Sequence, residues 1–183
     1  IRVYDLERTL CDILRGSGSD IQIVGAAMKR YAASKDKDIH KLMQYAAQLR
    51  VKPKVLRYME ILLWLQTYNL ETVLAEKLET VLSRNIANTR PRDYYDIYIL
   101  YTLRGDECDK ALLRQALERT AEKRGSSKIL TQYPEIMQEI RKSDTLRRQW
   151  NKYSREYDYA KEISFDDTCD AIQKIMDEII KWE

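Results

Sequence analysis

The chain has 183 residues, 44% of them hydrophobic, with 5 Gly and 3 Pro, and its 32 Lys+Arg against 29 Asp+Glu give a net charge of +3. So few turn residues exclude collagen-like and low-complexity classes and argue against strand-and-turn architectures, and no apolar run approaches the roughly 20 residues of a membrane span. Cys11, Cys108 and Cys169 are too widely spaced for a disulfide framework or a cysteine zinc site, so we expect an all-α protein in the reducing cytoplasm.

The first third of the sequence predicts four helices from its apolar periodicity and its capping residues. Residues 1–4 precede them as a short strand or an extended lead-in. Asp5 caps the first helix, which ends at the Gly/Ser stretch 16–19, and Asp20 caps the second. A third helix follows a polar connection, and Pro53 lies in the first turn of the fourth, where its missing N–H costs no hydrogen bond.

A break in the apolar period at residues 67–69 divides the chain. It predicts a small N-terminal helical unit, residues 1–63, and a larger helical bundle, residues 66–183. The first unit holds 12 basic and 7 acidic residues, an excess of five positive charges. That excess could attract a phosphate backbone or an acidic partner, or it could form an ordinary solvated Lys/Arg face.

The larger unit contains six predicted helices. Their ranges are 70–82, 92–103, 106–124, 134–142, 144–157 and 165–179. Asn69 caps the first of them, Asp106 opens the third and Gly125 ends it. Pro134 begins the fourth, and Ser164 precedes the last in a capping box with an Asp three residues later.

The stretch from Gly16 to Gln22, Gly-Ser-Gly-Ser-Asp-Ile-Gln, partly matches a Gly-Ser…Asp-x-Asp pattern of nucleotidyltransferases. In that pattern two carboxylates on one strand hold the magnesium ions that bridge the nucleotide phosphates. Here Gln22 stands at the second carboxylate position, and the flanking segments are helical. We therefore expect a turn followed by an N-cap at Asp20, and no metal site.

A second cluster of charged residues spans two predicted helices. Asp93 and Asp96 are three residues apart and share a helix face, and Lys77, Arg90 and Arg92 join them if the helices pack antiparallel. The cluster is either an ion-pair network at a helix start or a triphosphate site. In such a site the cations bind phosphate, and a carboxylate orients them or activates a hydroxyl.

Residues 70–100 carry two stretches that resemble one known family. Leu-Glu-Thr-Val-Leu-Ala-Glu-Lys-Leu is followed by Asn-Thr-Arg-Pro-Arg-Asp-Tyr-Tyr-Asp-Ile-Tyr, and both resemble the C-terminal half of the AbiEii toxins. These are nucleotidyltransferase-like toxins of bacterial abortive-infection, or type IV toxin–antitoxin, systems. The resemblance spans about residues 66–183. It implies that Mg²⁺ and a nucleoside triphosphate take part when the family activity is reconstituted.

The same resemblance assigns roles to the charged cluster. It implies that Lys77 is a nucleotide-phosphate or catalytic lysine. It also implies that Asp93 or Asp96 is the catalytic acid of the site, with Arg90 and Arg92 supporting it as nucleotide-binding residues. Spacing alone favours the structural ion-pair network, and with the resemblance the network and the nucleotide site become equal alternatives.

Residues 1–63 resemble a second family. The stretch Val-Tyr-Asp-Leu-Glu-Arg-Thr-Leu-Cys-Asp at 3–12, with others at 27–31 and 40–46, looks like the C-terminal part of the AbiEi antitoxins, the repressors of the same systems. The winged helix of that family and the Asp-x-Asp core of the toxins do not occur in this sequence. We therefore expect no DNA binding, no nucleotidyl transfer by this chain alone and no cofactor that it requires.

These observations leave three functions open. The first is a fused or truncated toxin–antitoxin module, related to phage defence, that lacks the metal-binding core. The second is a nucleotide- or RNA-binding part of a toxin that a partner completes. The third is a helical interaction module in which the antitoxin-like unit docks on the toxin-like one, within or between chains.

Histidine and tyrosine are two further residue types that could be functional. His40, the single histidine, lies among Lys and Asp residues, so we expect it to be exposed and not catalytic. Tyrosines cluster at 94–101 and 153–159. They either stack on bases beside the basic side chains at 147–155 or, as we favour, pack between helices with their hydroxyls at the surface.

Overall fold

The structure, a computed structural model, describes residues 5–16, 20–64 and 69–180. These residues form ten α-helices joined by turns and contain no strand, which confirms the predicted all-α class. The predicted lead-in at 1–4 and residues 17–19 of the Gly/Ser stretch lie outside the described residues. The chain forms two compact units, Ile1–Thr67 and Tyr68–Glu183.

The first unit contains four helices, and two of them begin at the predicted caps Asp5 and Asp20. They are α1 (Leu6–Arg15), α2 (Ile21–Ala33), α3 (Ile39–Gln48) and α4 (Lys52–Trp64). The Asp5, Asp20 and Asp38 carboxylates each accept a hydrogen bond from a backbone N–H in the first turn of the helix that follows, at 2.8–2.9 Å. The Asp20 carboxylate therefore serves as the expected N-cap. Pro53 lies in the first turn of α4, as predicted.

Buried side chains from all four helices form the core of this unit, and one buried carboxylate helps to order it. Glu7 on α1 is buried, and its Oε1 accepts hydrogen bonds from the Tyr31 hydroxyl at 3.1 Å and from the Asp38 backbone N–H at 3.2 Å. Because a buried carboxylate is costly without partners, these bonds fix α1 against α2 and the start of α3.

The second unit contains six helices. They are α5 (Leu70–Arg84), α6 (Pro91–Arg104), α7 (Lys110–Arg124), α8 (Ile129–Lys142), α9 (Asp144–Glu156) and α10 (Phe165–Ile180). Helix α5 packs against α6, α7 and α8, and α10 packs against the same three helices and α9. Buried apolar side chains, such as Leu74 and Leu78 of α5 and Ile172 and Met176 of α10, form the core. No helix in the described ranges has the length and apolar character needed to cross a bilayer.

The predicted start of α7 at Asp106 is wrong. Asp106 lies in a 3₁₀ turn, Gly105–Glu107, and the N-cap of α7 is Asp109. The Asp109 carboxylate accepts hydrogen bonds from the backbone N–H groups of residues 111 and 112. Its own backbone N–H donates to Glu71 Oε1 at 2.9 Å, so a residue of α5 determines where α7 begins.

The predicted start of α8 at Pro134 is also wrong, because that helix begins five residues earlier, at Ile129. A proline inside a helix removes one backbone hydrogen bond. Here the loss is offset by burial, since side chains spaced three or four residues apart are buried along one face. They are Ile129, Tyr133, Met137 and Ile140.

Two predicted helix ends are confirmed. Gly125 follows α7 in the left-handed conformation, with φ of 68°, and its N–H donates to the carbonyls that end the helix. Ser164 and Asp167 form the reciprocal capping box of α10, because Asp167 N–H donates to Ser164 Oγ at 3.0 Å and Ser164 N–H donates to Asp167 Oδ2 at 2.8 Å.

Candidate functional site

Lys77 lies on α5 where that helix faces α6. The Asn69 side chain caps α5 by accepting from the backbone N–H groups of Glu71 and Thr72, at 2.9 and 3.2 Å. Leu74 and Val81, three residues before and four residues after Lys77 on the same side of the helix, are fully buried. The Lys77 stem therefore lies at the edge of the core, and the ammonium group emerges at the boundary between α5 and α6.

A short turn positions the start of α6. After the 3₁₀ turn Asn85–Ala87, the buried Asn88 accepts a hydrogen bond from the Arg90 backbone N–H on its Oδ1, at 2.9 Å. Pro91 then occupies the first helical position, where its fixed φ suits a helix start. This arrangement fixes the first two turns of α6, which carry the aspartates.

The structure brings Lys77, Asp93, Asp96 and Arg92 together. Lys77 Nζ lies 2.7 Å from Asp96 Oδ2 and 3.6 Å from Asp93 Oδ1. Arg92 Nε lies 3.8 Å from Asp96 Oδ2. The side chains of Lys77, Asp93 and Asp96 are only 20%, 15% and 10% exposed, so their ion pairs are partly shielded from water. Two cations and two carboxylates thus form one compact cluster, called the α5–α6 cluster below.

The arginines differ in position. Arg92 belongs to the α5–α6 cluster, but its side chain is 60% exposed and extends from the aspartates toward solvent. Arg90 occupies the N-cap position of α6 with an exposed side chain, and it makes no side-chain cap to the helix. The cluster therefore has a mostly buried ammonium and a solvent-facing guanidinium beside a helix N-terminus.

Asp93 keeps one oxygen without a partner among the described residues. Its Oδ2 is buried and accepts no hydrogen bond, while Oδ1 faces Lys77. The amide nitrogen of Asn88 and the Tyr94 hydroxyl, both close in sequence, are likewise buried and unpartnered. Burial raises the pKa of Tyr94, so its hydroxyl remains a neutral donor. Asp93 is therefore the cluster member that keeps a buried acceptor oxygen unsatisfied by the described residues.

The α5–α6 cluster is not built to bind a divalent cation. Magnesium requires several oxygen ligands around one point, yet the position between the two carboxylates is taken by the Lys77 ammonium. Within residues 5–16, 20–64 and 69–180, no group of three or more His, Cys, Asp or Glu side chains is arranged to hold a metal ion. The chemistry that these residues can supply is phosphate binding, proton transfer and orientation.

Sequence reasoning missed the structural role of Asn88. Its burial and its bond to the Arg90 backbone make it the residue that positions the start of α6. An Asn two residues before the N-cap of a helix is typical of an Asx turn, and this was the available signal. Tyr94 and Tyr95 pack in the core as expected, but the Tyr94 hydroxyl is buried and not at the surface as predicted. His40 is exposed as expected.

Comparison with known protein families gives a match that covers the candidate site. A family model described as "Nucleotidyl transferase AbiEii toxin, Type IV TA system" matches residues 51–172, more than half of the chain, including the whole α5–α6 cluster. No curated protein matches the chain, and no solved structure does. The family match begins at residue 51, earlier than residue 66, where we expected the toxin resemblance to start. The comparison does not show the antitoxin resemblance that we expected for residues 1–63.

Proposed function

Because this chain belongs to the AbiEii family of type IV toxin–antitoxin nucleotidyltransferases, we propose that its α5–α6 cluster is the helical half of a nucleotide-binding site. Membership of the family makes the chain part of a toxin–antitoxin module and implies an antitoxin partner. The observation that carries the proposal is the partly buried ion cluster of Lys77 with Asp93 and Asp96.

The geometry suits a phosphate group. An ammonium has three N–H donors, so Lys77 can contact two carboxylates and still donate to a phosphate oxygen. Arg92 adds a solvent-facing guanidinium, a group that binds phosphate with two parallel hydrogen bonds. Both cations lie beside the N-terminal turn of α6, where the helix dipole favours an anion.

The two carboxylates have separate roles in this proposal. Asp96, at 2.7 Å, holds the Lys77 ammonium in place and is a positioning residue. Asp93 is the carboxylate that we assign to hydrogen-bond or accept a proton from a substrate hydroxyl, and because its unpartnered Oδ2 is buried, the start of α6 must open for the substrate to reach it. The exposed Arg90, at the N-cap of α6, can contribute charge to the same anion.

We further propose that this chain does not transfer a nucleotidyl group by itself. The α5–α6 cluster does not fit the magnesium ions that such a transfer uses. The carboxylates that bind the metal ions must then come from another polypeptide or another segment. We therefore propose that the chain is a fused or truncated module without a metal-binding core. Its three free cysteines fit a reducing cytoplasm.

A nucleotide titration tests the binding site. We expect each nucleoside triphosphate to bind the full chain saturably in isothermal titration calorimetry, with or without magnesium. Lys77→Met should reduce affinity at least tenfold, while Lys128→Met, a change at an exposed lysine that starts α8, should not. Equal affinities for the two variants would show that the α5–α6 cluster is only a structural network.

A transfer assay tests the missing metal site. The purified chain, incubated with magnesium, labelled nucleoside triphosphates and total RNA or protein as acceptor, should leave the label in the free nucleotide. Label that becomes covalently attached to any acceptor, and that is lost with Asp93→Asn, would contradict the proposal that another segment completes the site.

The division into two compact units favours one other candidate function. Each unit has its own buried core, so the alternative proposal is that the first unit is a separate docking module for the second. Separately produced residues 1–67 and 68–183 should then elute together in gel filtration when mixed. Two unchanged peaks at concentrations well above micromolar would count against this candidate.

A further inference from the structure

An aromatic cluster begins within one helical turn of Arg92. Arg92, Tyr95 and Asp96 are spaced i, i+3 and i+4 on α6 and therefore share one face of that helix. The Tyr95 ring is fully buried and lies 4.9 Å from the Tyr159 ring, centroid to centroid. The α5–α6 cluster and the aromatic cluster are therefore neighbours along one helix face.

The aromatic cluster extends outward from Tyr95 to solvent. The centroids of the Tyr153 and Tyr95 rings are 6.4 Å apart. The centroid of the Tyr157 ring lies 4.7 Å from that of Tyr153 and 5.4 Å from that of Tyr159. The hydroxyls of Tyr153 and Tyr159 are also hydrogen-bonded to each other, at 3.1 Å. Tyr157 is the outermost ring, 37% exposed, at the C-cap of α9. Two inner rings thus hold a tyrosine whose own surface is partly open to water.

Charges of both signs surround the Tyr157 ring. The adjacent Glu156 carboxylate raises the pKa of Tyr157, and the positive charge of Arg92 acts in the opposite direction. Asp158 follows in the next turn and pairs with Lys161, and Arg155 is exposed at the end of α9. Arg92, the solvent-facing end of the α5–α6 cluster, shares a face of α6 with Tyr95, the ring from which the aromatic cluster extends.

We propose that Tyr157, supported by Tyr159, stacks on the nucleobase of a nucleotide whose phosphates bind Lys77 and Arg92. This rests on the proposed function. Two observations support the stack: ion pairs link Lys77 through Asp96 to Arg92, and Arg92 shares a face of α6 with Tyr95, whose ring packs against Tyr159. A tyrosine ring presents a π face to any base, so the subsite tolerates all four nucleobases.

The experiment compares ligands with and without a base. Nucleoside triphosphates and inorganic triphosphate are titrated into the full chain and into three variants by calorimetry. Tyr157→Ala should weaken the binding of nucleoside triphosphates about tenfold and leave inorganic triphosphate unchanged. Tyr157→Phe should retain the wild-type affinity, because the ring and not the hydroxyl stacks. Leu112→Ala, which truncates an exposed apolar side chain on α7, is the matched control.

The outcomes separate this inference from the function on which it rests. If nucleoside triphosphates and inorganic triphosphate bind equally well and Tyr157→Ala changes neither, the stacking is wrong and the phosphate site stands. If neither ligand binds, both proposals fall. A short single-stranded oligonucleotide is added as a third ligand. If Tyr157→Ala weakens the binding of this oligonucleotide alone, the stacked base is part of a nucleic-acid strand, and the assignment to a nucleoside triphosphate is overturned. Circular dichroism and the melting temperature show whether each variant is folded.

Discussion

Lys77 Nζ lies 2.7 Å from Asp96 Oδ2, and this ion pair joins α5 to α6 at a place where both side chains are mostly buried. A partly buried ion pair is asymmetric in its energetics. Removing one partner leaves the other without compensation, whereas removing both can be nearly neutral. The pair can therefore be examined by its effect on folding as well as by its effect on ligand binding.

Lys77→Met should lower the free energy of unfolding by about 1–3 kcal/mol, because two shielded carboxylates lose their common cation. Adding Asp96→Asn to this variant should recover part of the loss. Urea denaturation of the two single variants and the double variant gives the coupling energy directly. Simple additivity of the two single effects would show that the contact contributes nothing to stability.

The buried Glu79 on α5 should be important for stability and unimportant for nucleotide binding. Its carboxylate accepts a hydrogen bond from Ser126 Oγ at 2.7 Å and pairs with Arg124, so it holds the end of α7 against α5. Glu79→Ala should cost about 2 kcal/mol in thermal or urea unfolding. Glu76→Ala, at an exposed glutamate of the same helix, should cost less than about 0.5 kcal/mol. Similar losses in the two variants would refute this role.

The three cysteines should be slow to react in the folded chain. Burial raises the pKa of Cys11 and Cys108 to about 11 and that of Cys169 to about 12. At pH 8 the thiols therefore stay protonated, and alkylation by iodoacetamide, followed by mass spectrometry, should be far slower than in urea. Rapid modification of any of them in the folded chain would contradict the raised pKa.

The same pKa shifts predict a loss of stability at high pH. Unfolded thiols ionise near pH 8.5, whereas the folded ones hold their protons until about pH 11. The stabilisation is thus complete below pH 8.5 and is lost as the pH rises toward 11, since the unfolded state releases protons first. Urea midpoints should fall between pH 8.5 and 10.5, and less steeply in Cys169→Ala. An equal slope in that variant would exclude a contribution from this thiol.

Gly125→Ala should destabilise the chain by about 1 kcal/mol through the backbone alone. The residue has φ of 68°, and an added Cβ meets no atom within 4 Å, so there is room for the methyl group but not a relaxed conformation. Gly125→Asn should cost less, because Asn tolerates the left-handed region better than Ala. Comparing the two melting temperatures tests the point, and a lower melting temperature for the Asn variant would argue for a steric cause.

Helix starts were predictable where the signal is local. The Asp5, Asp20 and Asn69 side chains each cap an amide no more than three residues away, so the sequence alone contains both partners. The start of α7 was not predictable in this way. Asp106 and Asp109 are equally good caps by residue type, and the bond from the Asp109 N–H to Glu71, 38 positions earlier, distinguishes them.

The candidate site was predictable in its membership and not in its details. The i, i+3 spacing of Asp93 and Asp96 placed both on one face, and the packing of α5 against α6 brought Lys77 to them. Spacing could not say that Asp96 would be the closer partner, because that depends on the rotation of one helix against the other. Nor could it show that Glu79, in a run of ordinary helix-forming residues, would be buried against Ser126.

The family match begins at residue 51, but α4, which follows directly, packs against α1, α2 and α3 inside the first compact unit. The homologous segment and the folding unit therefore do not share a border. Recombination at residue 51 would separate α4 from the helices that bury Val55 and Met59, so these apolar side chains would become exposed to solvent. A fusion point that preserves folding therefore belongs near residue 67, at the border between the two compact units of this chain.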